Sequence, residues 1–237
     1  MSDELTTVLA AGGEVLDADF AELDLGELLG THGKPRVFRR CDFTDADLSR
    51  ASLVGATFDA CRLDGARLRG AFLDGAKWTG GSAAKADFSG ADASEASFDG
   101  VDLANTVWRG TMIADTSFTG CRLVGARFDE SRGLGTRFHR CNLMMAGLAG
   151  ISLRGQELVG LRLDDAALSG ADLRDTTWVD CRLRGTALRA AEFDGADLRG
   201  ADLGDFAFTD AHLLAGATIS ADQAAGILGQ LGIVVDR

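Results

Sequence analysis

Large apolar residues recur at every fifth position of this chain. After Phe38 come Phe43, Leu48, Leu53, Phe58, Leu63, Leu68, Leu73 and Trp78, and the series runs without insertion or deletion to Leu213. These 36 consecutive pentapeptides occupy residues 36–215, and only Ala83, Ala93 and Gly133 leave a centre without a large apolar side chain. Two residues before each centre the chain is small: Ala46, Ala51, Ala56, Cys61, Ala66, and later Thr106, Thr111, Thr116 and Cys121. The consensus is A(D/N/S/R)(L/F)XG.

Neither common period explains this spacing. A helix would smear it around its surface at about 100° per residue, and a single long strand would alternate faces every second residue. A backbone that turns a corner at every fifth residue puts all the centres inside. Four such corners close a square turn of about 20 residues, and successive turns stack as parallel strands about 4.8 Å apart. Glycine at the corners, as at Gly65, Gly70, Gly75 and Gly80, permits the turn.

Stacking in steps of 20 sorts the centres into four columns. Phe38, Phe58, Trp78, Phe98, Phe118, Phe138, Leu158, Trp178 and Leu198 predict a mostly aromatic ladder inside the coil. The next column, headed by Phe43, is nearly all leucine. Cys41, Cys61, Cys121, Cys141 and Cys181 differ by multiples of 20 and fall on one inward column, where a thiol replaces alanine as a small buried group. A metal site on that column is disfavoured, since neither His nor acid shares it and no C-x-x-C occurs. We expect no metal and no cofactor.

The ends break the pattern. Residues 1–35 read as an N-terminal cap: Val15, Phe20 and Leu25 keep the step out of phase, as an incomplete first turn over 14–25, and residues 26–35, with the only proline, form a loop or short cap. Residues 216–237 read as a C-terminal cap. Ala217 and Ile219 slip the phase by one, Ser220 and Gln223 form a capping-box signature, and a helix is predicted over about 221–230, then an apolar strand from Ile233 to Val235. Ile227, Leu228, Leu231, Ile233, Val234 and Val235 make this tail apolar, and a two-fold homodimer is the commonest oligomer.

The repeat resembles the pentapeptide-repeat family over about three quarters of the chain. That resemblance implies an all-β fold, a right-handed quadrilateral parallel β-helix, and dimers joined tip to tip through apolar tails. Several members are implicated in resistance to fluoroquinolones and other topoisomerase poisons, as mimics of B-DNA in the DNA-binding saddle of DNA gyrase or topoisomerase IV. With no insertion between 36 and 215, the chain looks more like the loopless mycobacterial type than the plasmid-borne quinolone-resistance members, whose coils carry projecting loops.

Charge bears on that expectation. The net charge is -12, from 36 acids and 24 bases, which disfavours direct nucleic-acid binding, where clustered Lys and Arg are needed. Residues 1–35 hold eight of the acids and one base. On the coil the acids segregate to the face of the Leu53 column: Asp74, Asp92, Glu95, Asp115, Asp172, Asp175, Glu192 and Asp194, diluted by Arg132, Arg154 and Arg174. This acidic face is the expected partner-binding site. Exposed apolar positions, Phe72, Val107, Met112, Val124, Leu134, Met144 and Met145, favour the alternative of a scaffold for some other protein partner.

Catalysis is not expected. The string Ser82-Ala83-Ala84-Lys85 matches S-x-x-K, but both polar residues are outward positions of one pentapeptide rather than the start of a helix. His32 falls in the loop, and His139 and His212 at outward positions. The first residues are acidic rather than basic and no apolar run reaches bilayer length, so the expected address is cytoplasmic, with no membrane contact.

Overall fold

The computed structural model describes Leu9, residues 13–30 and residues 35–235. Nine strands stack in chain order into one parallel sheet: β1 (Gly13–Leu16), β2 (Arg36–Arg39), β3 (Thr57–Asp59), β4 (Lys77–Thr79), β5 (Ser97–Asp99), β6 (Ser117–Thr119), β7 (Arg137–His139), β8 (Glu157–Val159) and β9 (Thr177–Val179). Phe38 lies opposite Phe58, then Trp78, Phe98 and Phe118, so every rung repeats after 20 residues. The other three faces keep that step through single-residue ladder contacts, such as Asp42 to Arg62, Arg67 to Asp87 and Phe72 to Asp92. This is the parallel β-solenoid that the spacing predicts.

The interior is filled by one large and one small side chain per pentapeptide. The centres from Phe38 to Leu73 are at most 1% exposed, as are Ala46, Ala51 and Ala66. Burying one such centre contributes about 1.5–3 kcal/mol. Phe38, Phe58, Trp78, Phe98, Phe118 and Phe138 stack with centroids 4.1–5.4 Å apart. A second stack, Phe88, Trp108 and Phe128, stands across the interior and meets the first edge to face, as in Phe98 to Trp108 at 5.5 Å and 89°. The single aromatic ladder expected from the sequence is therefore one of two.

Hydroxyls and thiols in the small column also tie rungs together. The Thr111, Thr116 and Thr136 hydroxyls donate to the carbonyls of Phe88, Ala93 and Ile113 on the preceding rung. Cys61, Cys121, Cys141 and Cys181 do the same to Phe38, Phe98, Phe118 and Leu158. All five cysteines are buried free thiols. Burial pushes the Cys181 thiol up, so it stays protonated at neutral pH.

Both ends depart from the regular coil. Val15 pairs with Phe38 at an offset of 23 residues, which places the extra chain length in the segment after Leu25. Residues 31–34 of that segment, His32 among them, lie outside the described residues. At the other end the five-residue spacing continues in the sequence to Leu213, but the flat sides stop earlier. β10 (Cys181–Arg182) pairs with β11 (Ala201–Asp202), after which Phe208–Leu214 wind into a 3-10 helix that leaves Phe208 exposed and buries Leu214. Thr218 then pairs with Asp197, a step of 21, which is the one-residue slip seen in the sequence.

Helix α1 (Ala221–Gly229) caps the coil, and both hydrogen bonds of its Ser220–Gln223 capping box are formed. The Gln223 amide also donates to the carbonyls of Leu198 and Ala201 at 2.8 and 2.6 Å, covering groups that have no further rung to accept from. The strand expected at 233–235 does not form, because no neighbouring rung remains to pair with it.

Two predictions follow from the packing. Trp108 and Trp178 donate their indole N–H to Thr106 and Thr176 two residues earlier, whereas Trp78 follows Ala76 and its buried N–H has no partner. Ala76→Thr is expected to raise stability by about 1 kcal/mol in denaturant unfolding. A lower midpoint would show that this column does not accept the hydroxyl. Gly81, at φ +76°, would drive a Cβ into the Cys61 backbone, while Gly75, at φ +63°, has open space around it. Gly81→Ala is expected to cost more than about 3 kcal/mol and Gly75→Ala about 1–2. Equal losses would contradict the close approach of these two rungs.

Candidate partner-binding surface

The eight acids of the Leu53-column face fall into two groups that the sequence tally did not separate. In the C-terminal half, Arg174 holds both Asp172 and Glu192, at 2.8 and 3.0 Å, and Arg154 holds Asp175 at 3.0 Å. Hydrogen bonds from Arg174 keep the Asp172 carboxyl below its ordinary range. Asp194 is exposed beyond these pairs. In the N-terminal half, Asp74, Asp92, Glu95 and Asp115 have no ion-pair partner among the described residues, and Asp92 bonds only the Ser94 amide and hydroxyl.

Local backbone geometry sets how these four project. Glu95 and Asp115 sit one rung apart at the same corner, with φ of +57° and +53°. Holding a non-glycine residue in the left-handed region costs about 1 kcal/mol, and two like charges at rung spacing repel. Phe72, 48% exposed, and half-buried Met112 lie on the same face beside the acids. The N-terminal half is thus an acidic strip with apolar flecks, and the C-terminal half an ion-paired lattice.

The remaining surface is mostly laced. Arg62, Arg67, Arg69, Arg122, Arg182 and Arg184 pair with Asp42 and Asp64, Asp47, Asp87, Asp102, Asp164 and Asp202. Such exposed pairs contribute little individually. Asp164 differs in being buried, 3.3 Å from Arg182, which the pentapeptide pattern does not signal because its position is normally outward. Of the expected exposed apolar residues, Phe72, Leu134 and Met145 stand well out, while Val107, Met112, Val124 and Met144 are half-buried. Met144 is further covered by the Arg162 guanidinium at 3.6 Å.

The tip residues also divide. Ile227 is 8% exposed and packs onto the end of the coil, so it serves the chain's own core rather than a partner. Leu228 and Val235 are half-buried, whereas Leu231, Ile233 and Val234 are exposed, Val234 at 90%. Ser82 donates to the Asp64 carboxylate, and Lys85 occupies an exposed corner, so S-x-x-K forms no nucleophile and base pair. His139 and His212 are exposed. Among the described residues there is no cluster of His, Cys, Asp and Glu able to hold a metal, and no helix long and apolar enough to cross a membrane.

Comparison with known proteins agrees with this geometry. The pentapeptide repeat region model matches residues 36–108, and the model of eight pentapeptide repeats matches residues 166–205. No curated protein matches the chain by sequence. Among solved structures, trypsin-treated QnrB1, described as a plasmid-mediated fluoroquinolone resistance protein, superposes with a TM-score of 0.69 at 21% identity, covering 93% of this chain and 99% of that one. Full-length QnrB1 gives a TM-score of 0.54 at 21% identity, covering 93% and 100%. HetL, a pentapeptide repeat protein involved in heterocyst differentiation regulation in the cyanobacterium Nostoc sp. strain PCC 7120, gives 0.50 at 20% identity over 81% and 90%. The unbroken five-residue register, the square coil and the two matched regions together make this chain a pentapeptide-repeat protein.

Proposed function

We propose that this chain is a non-catalytic binding protein whose acidic strip engages the basic DNA-binding surface of a type II topoisomerase, DNA gyrase or topoisomerase IV, and protects it from topoisomerase-poisoning antibiotics. The observation that carries this reading is the unneutralised run Asp74, Asp92, Glu95 and Asp115. Four carboxylates over three rungs amount to roughly one charge per 3.6 Å of rod, close to the about 3.4 Å per phosphate of one DNA strand. The nine stacked strands span roughly 38 Å. A rigid rod presents its charges without the entropy cost of ordering a flexible chain. The fold it shares with QnrB1, itself described as a fluoroquinolone resistance protein, supports the same reading. On this account the ion-paired half contributes less to DNA mimicry than the N-terminal half.

We place homodimerisation at the exposed tip residues Leu231, Ile233 and Val234, with Phe208 beside them in the end region. The specific observation favouring a different protein partner is the apolar exposure of Phe72, Leu134 and Met145.

The first test is a gyrase supercoiling assay with and without a fluoroquinolone. The wild-type chain is expected to inhibit or protect at micromolar excess. Reversal of Asp74, Glu95 and Asp115 to Lys should raise the half-maximal concentration by about tenfold or more, and added salt should have the same direction of effect. No wild-type effect would favour the other-partner reading, and an unchanged dose response in the triple variant would exclude the acidic strip. For the tip, sedimentation of the wild type is expected to give a dimer and of Val234→Asp a monomer. Identical sedimentation of the two would remove the tip from the interface.

A further inference from the structure

Before the coil ends, the ladder of the acidic face is interrupted at one place among the described residues. Leu73, Gly75, Ala93, Glu95, Ile113 and Asp115 each donate their amide to the rung that follows, and Leu153, Gly155, Leu173 and Asp175 do so again further along. Between these two stretches, among the described residues, the amides of Gly133 and Gly135 make no such bond, and the carbonyls of Ser152 and Arg154 that should receive them accept none. The ladder contact from Arg132 to Ser152 is missing although Met112 to Arg132 and Ser152 to Asp172 are present, and β7 meets β8 through the single pair His139 and Val159. The Thr136 carbonyl is instead taken by the side chain of Gln156, at 2.9 Å.

Side-chain size explains the gap. Gly133 supplies nothing to the interior at a centre and sits at φ +113°. One rung on, Ile151, Gln156 and Leu161 occupy three successive positions of the small column. A rung with a missing centre therefore abuts one that is overfilled, and the two part along one side. The seam opens into a groove of about 580 Å³ lined by Leu134, Arg137, Ser152, Arg154, Gln156 and Asp172. Leu134 stands out at 72% exposure. Arg137 has no ion-pair partner among the described residues, and Arg132 bonds only the Gly110 carbonyl.

We infer that this seam is a docking site for a short extended segment of a protein partner that carries acidic and apolar side chains. Freed strand donors and acceptors are the groups that an added strand pairs with. Arg137, which lines the groove without an ion-pair partner among the described residues, supplies the charge that acidic side chains complement, and Leu134 supplies an apolar contact at the rim. Asp172 adds little negative charge to the groove, because both its oxygens are bonded to Arg174 at 2.8 and 2.9 Å. The site is distinct from the topoisomerase reading, since its free charge, Arg137, has the opposite sign, although it borders the strip where Asp115 lies against Gly135.

The test is an NMR titration of the full-length isotope-labelled chain with two probe peptides, acetyl-Glu-Leu-Asp-Leu-Glu-amide and its basic counterpart acetyl-Lys-Leu-Lys-Leu-Lys-amide. Before any addition, the Gly133 and Gly135 amides should exchange with solvent much faster than those of Ala93 and Glu95. The acidic peptide should then shift and protect Gly133, Gly135, Arg137 and Ser152, and the basic one should not. Arg137→Gln and Leu134→Ser should each weaken the acidic peptide about tenfold, with unchanged spectra at rungs far from the seam showing that both variants fold. Slow exchange at Gly133 and Gly135 would overturn the open ladder. Equal response to both peptides, shifts located elsewhere, no shift at all, or unweakened binding by the variants would overturn the docking site.

Discussion

The structure depends on a volume constraint. Each side of the square turn must put one large and one small side chain inside, and four sides must close on a rung directly above the last. Where that rule holds, the backbone groups of each rung bond the next and the centres pack at interior density. Two facing aromatic stacks fill the N-terminal and middle coils, and leucine fills much of the C-terminal part. Nothing else in the sequence is needed to fix the register, because a slip by one residue would turn every centre outward.

Function follows from what that constraint leaves unassigned. The interior consumes two residues of five, and the others are free to carry charge at fixed heights. Most of the surface uses this freedom to lace arginines to aspartates across rungs, which neutralises it. Asp74, Asp92, Glu95 and Asp115 depart from this on the acidic face, as neighbouring like charges with no ion-pair partner among the described residues. The seam at Gly133 is another departure: small centres at Ala83 and Ala93 leave the ladder intact, but here an empty centre meets an overfilled rung and backbone polarity becomes available.

Much of this was legible before any coordinates. The fifth-residue series, the cysteine column and the capping box at Ser220 and Gln223 each specify a placement that the structure shows. The second aromatic stack was also legible, since Phe88, Trp108 and Phe128 differ by 20. Ion pairing was not: the sequence lists Asp172 and Asp74 as equivalent acids, and only the rung geometry reveals that Arg174 reaches one and no cation reaches the other. The end of the flat coil was hidden because Phe208 and Leu213 keep the pattern while the next rung that would hold them is absent. The seam had a signal in Gly133 followed by oversized Ile151, Gln156 and Leu161, but its meaning depends on knowing which rung lies over which. The role of Ile227 is not legible in the sequence, because an apolar helix face looks the same whether it covers its own coil or another.

The most direct test of the volume constraint is the thermal midpoint of two insertion variants. Duplicating residues 81–100 adds one whole turn in register and is expected to leave the midpoint at or above that of the parent, whereas a single alanine inserted after Gly100 shifts every later centre and should lower it by many degrees. A duplication that unfolds the chain, or a single-residue insertion that leaves the midpoint unchanged, would contradict the account.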